Sequence, residues 1–280
     1  MNKTLKVDEK ILSELINQAI KIRCHIVTMV KDAQVGHIGG SLSVTDILTT
    51  LYFYIMRIDP SKPDWIDRDR LVLSKGHGAT TLYSTLAERG FFSTEELSTF
   101  GKLGSILQVH PDKTKVPGVE ASTGALGQGL SVGVGMALAA RLDKKDYHTY
   151  VILGDGEIQE GQVWEAAMFA SHYELDNITA VLDYNNVQLM GSLPEVMNIA
   201  PVTDKWKSFG WNLIEIDGHD FSQIVASLYK AKEHKGGPTI IIANTTKGKG
   251  VSFMQNTCAW HGSVPTNEEY DRAIKELNLK

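Results

Sequence analysis

Two short clusters in the second half of the sequence carry residue types suited to phosphate and metal chemistry. They are Gly154-Asp155-Gly156-Glu157 and Asp183-Tyr184-Asn185-Asn186. Each follows a short apolar run, Tyr150–Leu153 in one case and Ile178–Asp183 in the other. Glycines on both sides of Asp155 let the backbone turn sharply and approach a ligand closely. A helix starting just beyond points its free N–H groups at the same spot, which suits a phosphate. A carboxylate beside a phosphate repels it unless a cation lies between them. Asp155 and Asn185 both offer oxygen, the donor that Mg²⁺ takes in an octahedron shared with phosphate. The clusters therefore point to a cation bridging Asp155, Asn185 and a diphosphate. Taken singly, each also suits an ordinary strand-to-helix turn or an exposed Asn pair. The weight lies on their joint occurrence, with 28 residues from Glu157 through Tyr184 between them.

The nine histidines divide unevenly. His37, His77, His110 and His261 each adjoin Gly or Pro in expected loops, while His25, His148, His172, His219 and His234 do not sit in such a cluster. Imidazoles donate or accept protons near neutral pH, so a cluster of them suits a hydroxylated, carbonyl-bearing substrate. Glu160 falls in the first turn of the helix after the glycine turn, where the dipole favours a carboxylate. Lys247 and Lys249 in Thr246-Lys247-Gly248-Lys249-Gly250 could attract phosphate or stand solvated in a loop.

The elements that must hold these residues read as an α/β chain. Helices are expected over 8–33, from Ile47 to Met56 behind Ser43 and Thr45, over 77–89, from Gly127 to Arg141, from Gln159 to Tyr173 and from Phe221 to His234. Strands are expected at Asp69–Ser74, Tyr150–Leu153, Ile178–Asp183, Trp211–Ile216 and Thr239–Ala243. Short uninterrupted β-branched runs between long helices indicate a mostly parallel sheet covered on both faces, a three-layer α/β/α arrangement. Ligands in such sheets sit beyond the C-terminal strand ends, which selects the residues after Leu153, Leu182 and Ala243. With 280 residues, 42% hydrophobic, the chain can bury a large core, and it reads as one domain over 1–280. A net charge of −5 without a basic run gives no nucleic-acid footprint. No apolar stretch reaches the roughly 18 residues of a membrane span. Met1–Lys10 is polar and lacks the apolar core of a signal peptide, so a cytoplasmic protein is expected. Cys24 and Cys258 lie far apart and read as buried or semi-buried thiols rather than a disulfide.

The two clusters at their spacing resemble the thiamine-diphosphate signature, a GDG followed 25–30 residues later by NN. More of the chain resembles transketolases: Gly36-His37-Ile38-Gly39-Gly40, Ser74-Lys75-Gly76-His77-Gly78, His110-Pro111, Ser122 to Gly129 (STGALGQG) and Trp260-His261-Gly262, in that order. The resemblance implies the diphosphate-binding (PP-type) domain. It implies that Asp155, Asn185 and the carbonyl of Val187 bind Mg²⁺ (or Ca²⁺ or Mn²⁺). It places Gly124, Ala125, Leu126, Gly156 and Glu157 against the cofactor, with His77 and His261 near the diphosphate. His37, His110 and His261 would face the sugar, with His77 part of the same catalytic set. Glu160 would be a subunit-interface glutamate coupling two active sites. Glu157 adds a negative charge where many long transketolases have a neutral residue, and it is expected either at the diphosphate or toward solvent. The wording of GHIGGSLS, GALGQGLSVGVGMALA and GQVWEAAMFA is closer to the N-terminal subunits of split transketolases than to the long forms. Ile38 and Ala125 stand where long forms usually have Pro.

The implied activity is transfer of a two-carbon ketol unit from a ketose phosphate to an aldose. A C-terminal partner subunit would supply the pyrimidine-binding domain, in an α₂β₂ assembly. Within the same cofactor class, a specialised deoxy, branched or sulfonated sugar, or a deoxyxylulose-phosphate-synthase-like condensation, is the alternative. A nicotinamide-binding reading rests on Gly127, Gly129 and Gly133. It fails on their distance from an N-terminal strand and on the missing acidic residue at the next strand end. A decayed, non-catalytic binding module is opposed by the presence of Asp155, Asn185 and the four loop histidines.

Overall fold

The computed structural model describes residues 7–279. Met1–Lys6 and Lys280 lie outside the described residues, and so do the parts of the leader and domain readings that fall on them. Among the described residues the chain forms one five-stranded sheet in the order β1-β2-β3-β5-β4 with every pairing parallel. In chain order come α1 (Glu9–Ala33), α2 (Ile38–Thr50), β1 (Arg70–Leu73), α3 (Ala79–Arg89), α4 (Gln128–Leu142), β2 (Thr149–Gly154) and α5 (Gly161–His172). There follow β3 (Ile178–Tyr184), α6 (Leu193–Val196), α7 (Val202–Ser208), β4 (Asn212–Asp217), α8 (Phe221–Glu233), β5 (Thr239–Asn244) and α9 (Asn267–Asn278).

The central strands are apolar throughout because both faces are covered. Tyr150 and Ile152 of β2 pack with α2, α3 and α8 on one side. Val151 and Leu153 pack with α4, α5 and Trp206 of α7 on the other. The three-layer expectation therefore holds. Outside α2, Ile22, Ile26 and Val30 of α1 meet Ala273 and Leu277 of α9.

The register aligns the chemistry. Gly154 pairs with Asp183, and Tyr184 pairs with Asn244, so β2, β3 and β5 end together at one edge of the sheet. Both polar clusters and the Thr245–Gly250 loop start there.

Three expectations need correction. The second helix starts at Ile38, not Ile47, and passes into a π-turn over Leu51–Ile55. Ser43 and Thr45 lie inside it. Every residue from Ile38 to Thr50 is buried, so no amphipathic stripe marks the start. Its hydroxyls instead bond back to the helix, as from Thr45 to Ser41 O (2.9 Å) and Thr49 to Thr45 O (2.8 Å). The segment holding Glu268, Glu269 and Glu276, which reads in the sequence as a short polar tail, is the helix α9. Thr266 and Glu269 form a capping box at its start, and Ala273 and Leu277 are buried. Cys258 is exposed rather than buried.

Candidate active site

A cavity of about 410 Å³ opens beyond the C-terminal strand ends. Its floor comes from the turns after β2 and β3. Asp155 is 4% exposed. One carboxylate oxygen accepts from the Gly156 N–H (2.8 Å), the other from the Asn185 (2.8 Å) and Asn186 (2.6 Å) N–H groups. Burial and the nearby Asp183 raise its pKa to about 6 against these bonds. Such a carboxylate is short of positive charge. Asn185 and the Val187 carbonyl border the same cavity. Among the described residues no group of three His, Cys, Asp or Glu could cage a metal. The donors at hand are a carboxylate, an amide and a carbonyl. This oxygen-only, incomplete set fits a hard divalent cation that draws its other ligands from phosphate and water.

Asp183 closes the floor from below. It is fully buried and takes Lys75 Nζ, Ser43 Oγ (2.6 Å) and Thr245 Oγ1. Lys75 also donates to Gly40 O (2.8 Å), so its charge is committed to the protein. Burial opposes the ionised form of Asp183, but Lys75 and the hydroxyls outweigh it and lower its pKa.

Glu157 does not face solvent. It is 1% exposed and accepts from Ser74 Oγ, Gly127 N–H (2.9 Å) and Gly154 N–H (2.9 Å). Its carboxylate ties the end of β1, the entry to α4 and the end of β2 together. Burial raises its pKa, opposed by these three donors.

The four loop histidines converge above this floor. The rings of His37, His77 and His261 lie 5.3–5.4 Å apart, and His110 lies 6.2 Å from His37. His37 Nδ1 is buried with no partner in the protein, as expected of a group that meets a ligand. Burial, then the neighbouring lysines and imidazoles, lowers the pKa of His77 well below the ordinary value and that of His261 to about 3. Burial, His110 and Lys247 lower that of His37 as well.

Lys247 is 2% exposed, with Nζ 2.8 Å from both Val187 O and His261 Nδ1. Burial, then Lys75, lowers its pKa to about 8. A carbonyl oxygen has two lone pairs, so this bond leaves one for a cation. A Cβ at Gly39 would sit 2.6 Å from Trp260 O and 3.1 Å from Lys247 Cγ, so only glycine lets α2 start this close to the lysine.

Gly124, Leu126 and Gly156 also line the cavity, whereas Ala125 and Glu160 do not. Both lie exposed beside it. Lys249 is not at the cavity; its carbonyl accepts from Arg23 Nε (3.1 Å). Sequence reasoning passed over Lys75, Asp183 and the apolar rim of Leu189 (59% exposed) and Met190 (77%). The available signal was position: Asp183 ends a buried strand, and Lys75 follows one.

Residues 14–280 match the family described as transketolase, thiamine diphosphate binding domain. One subunit of the apulose-4-phosphate transketolase of Phocaeicola vulgatus is 48% identical over 93% of this chain and 92% of its own length. 6-Deoxy-6-sulfo-D-fructose transketolase subunit SqwG of a Clostridium species is 46% identical, covering 94% of this chain and 96% of its own. Among solved structures, a Leishmania mexicana transketolase superposes with a TM-score of 0.89 at 32% identity, over 94% of this chain and 41% of that one. A Pichia stipitis transketolase with sedoheptulose 7-phosphate gives 0.90 at 36%, over 95% and 41%. Among the described residues no helix is long and apolar enough to cross a membrane. With the cluster spacing, the parallel sheet and the furnished strand ends, these matches establish that the chain belongs to the transketolase family.

Proposed function

We propose that this chain is the N-terminal subunit of a split transketolase. It holds the diphosphate of thiamine diphosphate and a divalent cation, Mg²⁺ by its donor set, and a C-terminal partner completes the site in an α₂β₂ assembly. The observation that carries this is the convergence of Asp155, Asn185 and the Val187 carbonyl under four histidines at one sheet edge. Asp155, Asn185 and Val187 O hold the cation. Gly156, the Gly124–Leu126 backbone, His77, His261 and Lys247 border the anion. Glu157 acts through the backbone it fixes rather than by touching the anion. Glu160, exposed at the start of α5, is the residue to meet another subunit.

The cofactor, when bound, supplies stabilisation of the carbanion left when the ketose bond between C2 and C3 breaks. The protein's part is placement and proton handling. His37, His77 and His261 stand neutral; His37 and His77 each offer one donor and one acceptor to sugar hydroxyls, whereas His261 accepts from Lys247 at Nδ1 and keeps its Nε2–H to donate. His110 stands at the open side, where an acceptor aldose would enter.

Two relatives carry different donor names, apulose 4-phosphate and 6-deoxy-6-sulfo-D-fructose. This chain follows them in reacting with a specialised ketose. The cavity's lysines are Lys75, spent on Asp183, and Lys247, set deep. Recognition of a distal phosphate or sulfonate therefore falls to the partner. The test is to mix the chain with the product of its adjacent gene, Mg²⁺ and thiamine diphosphate. Transfer to ribose 5-phosphate is then followed from xylulose 5-phosphate, apulose 4-phosphate and the sulfofructose. Activity only in the mixture supports the reading; full ketol transfer by the chain alone contradicts it.

A further inference from the structure

Lys247 sits on the loop after β5, and a line of buried polar groups that never enters the cavity reaches that loop. The Thr246 N–H donates to His219 Nε2 at 2.8 Å. A backbone N–H can only donate, so Nε2 carries the lone pair. The hydrogen therefore sits on Nδ1, 2.8 Å from Asp46 Oδ2, which accepts it. Asp46 is 3% exposed and takes a fork from Arg23, Nη1 to Oδ1 and Nη2 to Oδ2, each at 2.8 Å. Burial works against an ionised Asp46, yet Arg23 and His219 outweigh it and hold its pKa at about 2. The ring's tautomer and tilt are thus fixed from both sides.

The line crosses four parts of the fold: Arg23 in α1, Asp46 in α2, His219 in the turn after β4 and Thr246 after β5. The Arg23–Asp46 pair alone joins α1 to α2 and would serve the fold without His219. The histidine adds a bond to the residue before Lys247. Gly248 N–H on Gly39 O (3.0 Å) and Arg23 on Lys249 O hold the far side of the lysine. His219 holds the near side.

We infer that His219, oriented by Asp46 and Arg23, is a positioning residue that sets Lys247 at the height where its ammonium meets the anionic group of the ligand. This rests on the proposed binding of a diphosphate beside Lys247. His219 touches neither ligand nor reacting atoms. Its effect passes through one backbone N–H to the neighbouring side chain.

The experiment is a set of thiamine diphosphate titrations of the full chain at saturating Mg²⁺, with thermal unfolding of each ligand-free variant. His219→Asn keeps a donor for Asp46 but has no acceptor reaching Thr246. His219→Gln carries its amide oxygen far enough to accept from Thr246. Loss of this one bond should weaken binding by about threefold to tenfold in His219→Asn, at nearly unchanged Tm. His219→Gln should recover wild-type affinity. In a Lys247→Met background, His219→Asn should add no further loss, because the residue it acts through is gone.

Equal affinity of wild type and His219→Asn overturns the role. So does the same fold-loss in both lysine backgrounds, which would mark His219 as general support. If His219→Asn does not fold, His219→Gln decides: affinity well below wild type at wild-type Tm overturns the inference. Wild type that fails to bind thiamine diphosphate even when mixed with the product of its adjacent gene removes the cofactor reading and this role together, whereas binding by wild type isolates the fate of the relay.

Discussion

At the scale of the residue, the site is built from buried charges whose partners lie in other elements. Asp46 makes this measurable. Its folded pKa of about 2 lies below the ordinary 3.8. A depressed carboxylate contributes stability above its unfolded pKa and loses it as pH falls through the folded one. The chain should therefore lose about 2 kcal/mol of stability between pH 4 and pH 2 from this group. Urea unfolding of wild type and Asp46→Asn across that range checks it: the variant's profile should be flatter, and parallel profiles would contradict the assignment. At pH 7, Asp46→Asn should cost roughly 3–5 kcal/mol because Arg23 is left buried without a charge partner. Glu157 gives a second residue-scale expectation. Glu157→Ala removes the acceptor of three buried donors and should lower stability by about 2–3 kcal/mol in the same assay. A loss below about 0.5 kcal/mol would mean that the turn holds without it. Asp155 and the loop histidines were legible in the sequence because glycine or proline adjoins each, and Asn185 because it follows an apolar strand run. The place of Glu157 was not, because its three donors come from segments up to 83 residues away. The burial of Lys247 was hidden in the same way, since the β3–β5 register brings Val187 to it and the segment after β5 folds back to bring His261.

At the scale of the element, the strands were readable nearly to the residue, since a sheet covered on both faces leaves short uninterrupted apolar runs. The helix α2 was misplaced for a related reason. A helix buried on all sides shows no 3.6-residue stripe, and its Ser and Thr look like caps when read in isolation. The helix α9 was missed because the apolar face is narrow and most of its residues are polar or charged. The loop after β5 carries the sharpest element-scale expectation. Gly248 has φ +77°, and an added Cβ would collide with Met254 O. Gly248→Ala should cost about 1–3 kcal/mol through a left-handed conformation that alanine resists. It should also weaken thiamine diphosphate binding, because Lys247 precedes it. A variant with wild-type Tm and wild-type affinity would show that the loop relaxes freely.

At the scale of the whole molecule, the cavity has a polar floor and an exposed apolar rim. The strand-end floor and the histidines are in place, while Leu189 and Met190 stand exposed at the rim and Met168 and Phe169 stand exposed on α5. The expectation of a partner subunit rests on the family resemblance, and composition and periodicity carry none of it. The donor sugar stayed illegible because, among the described residues, the cavity has no uncommitted cation at its mouth with which to select one. The claim on which the rest stands is that Asp155, Asn185 and Val187 O form the floor of a metal–diphosphate site. It is tested most directly by calorimetric titration of thiamine diphosphate into the purified chain, with Mg²⁺, with EDTA, and with Asp155→Ala in place of wild type. The expected result is saturable binding that needs Mg²⁺ and is lost in Asp155→Ala while the variant remains folded. Binding that survives both EDTA and the substitution would contradict it.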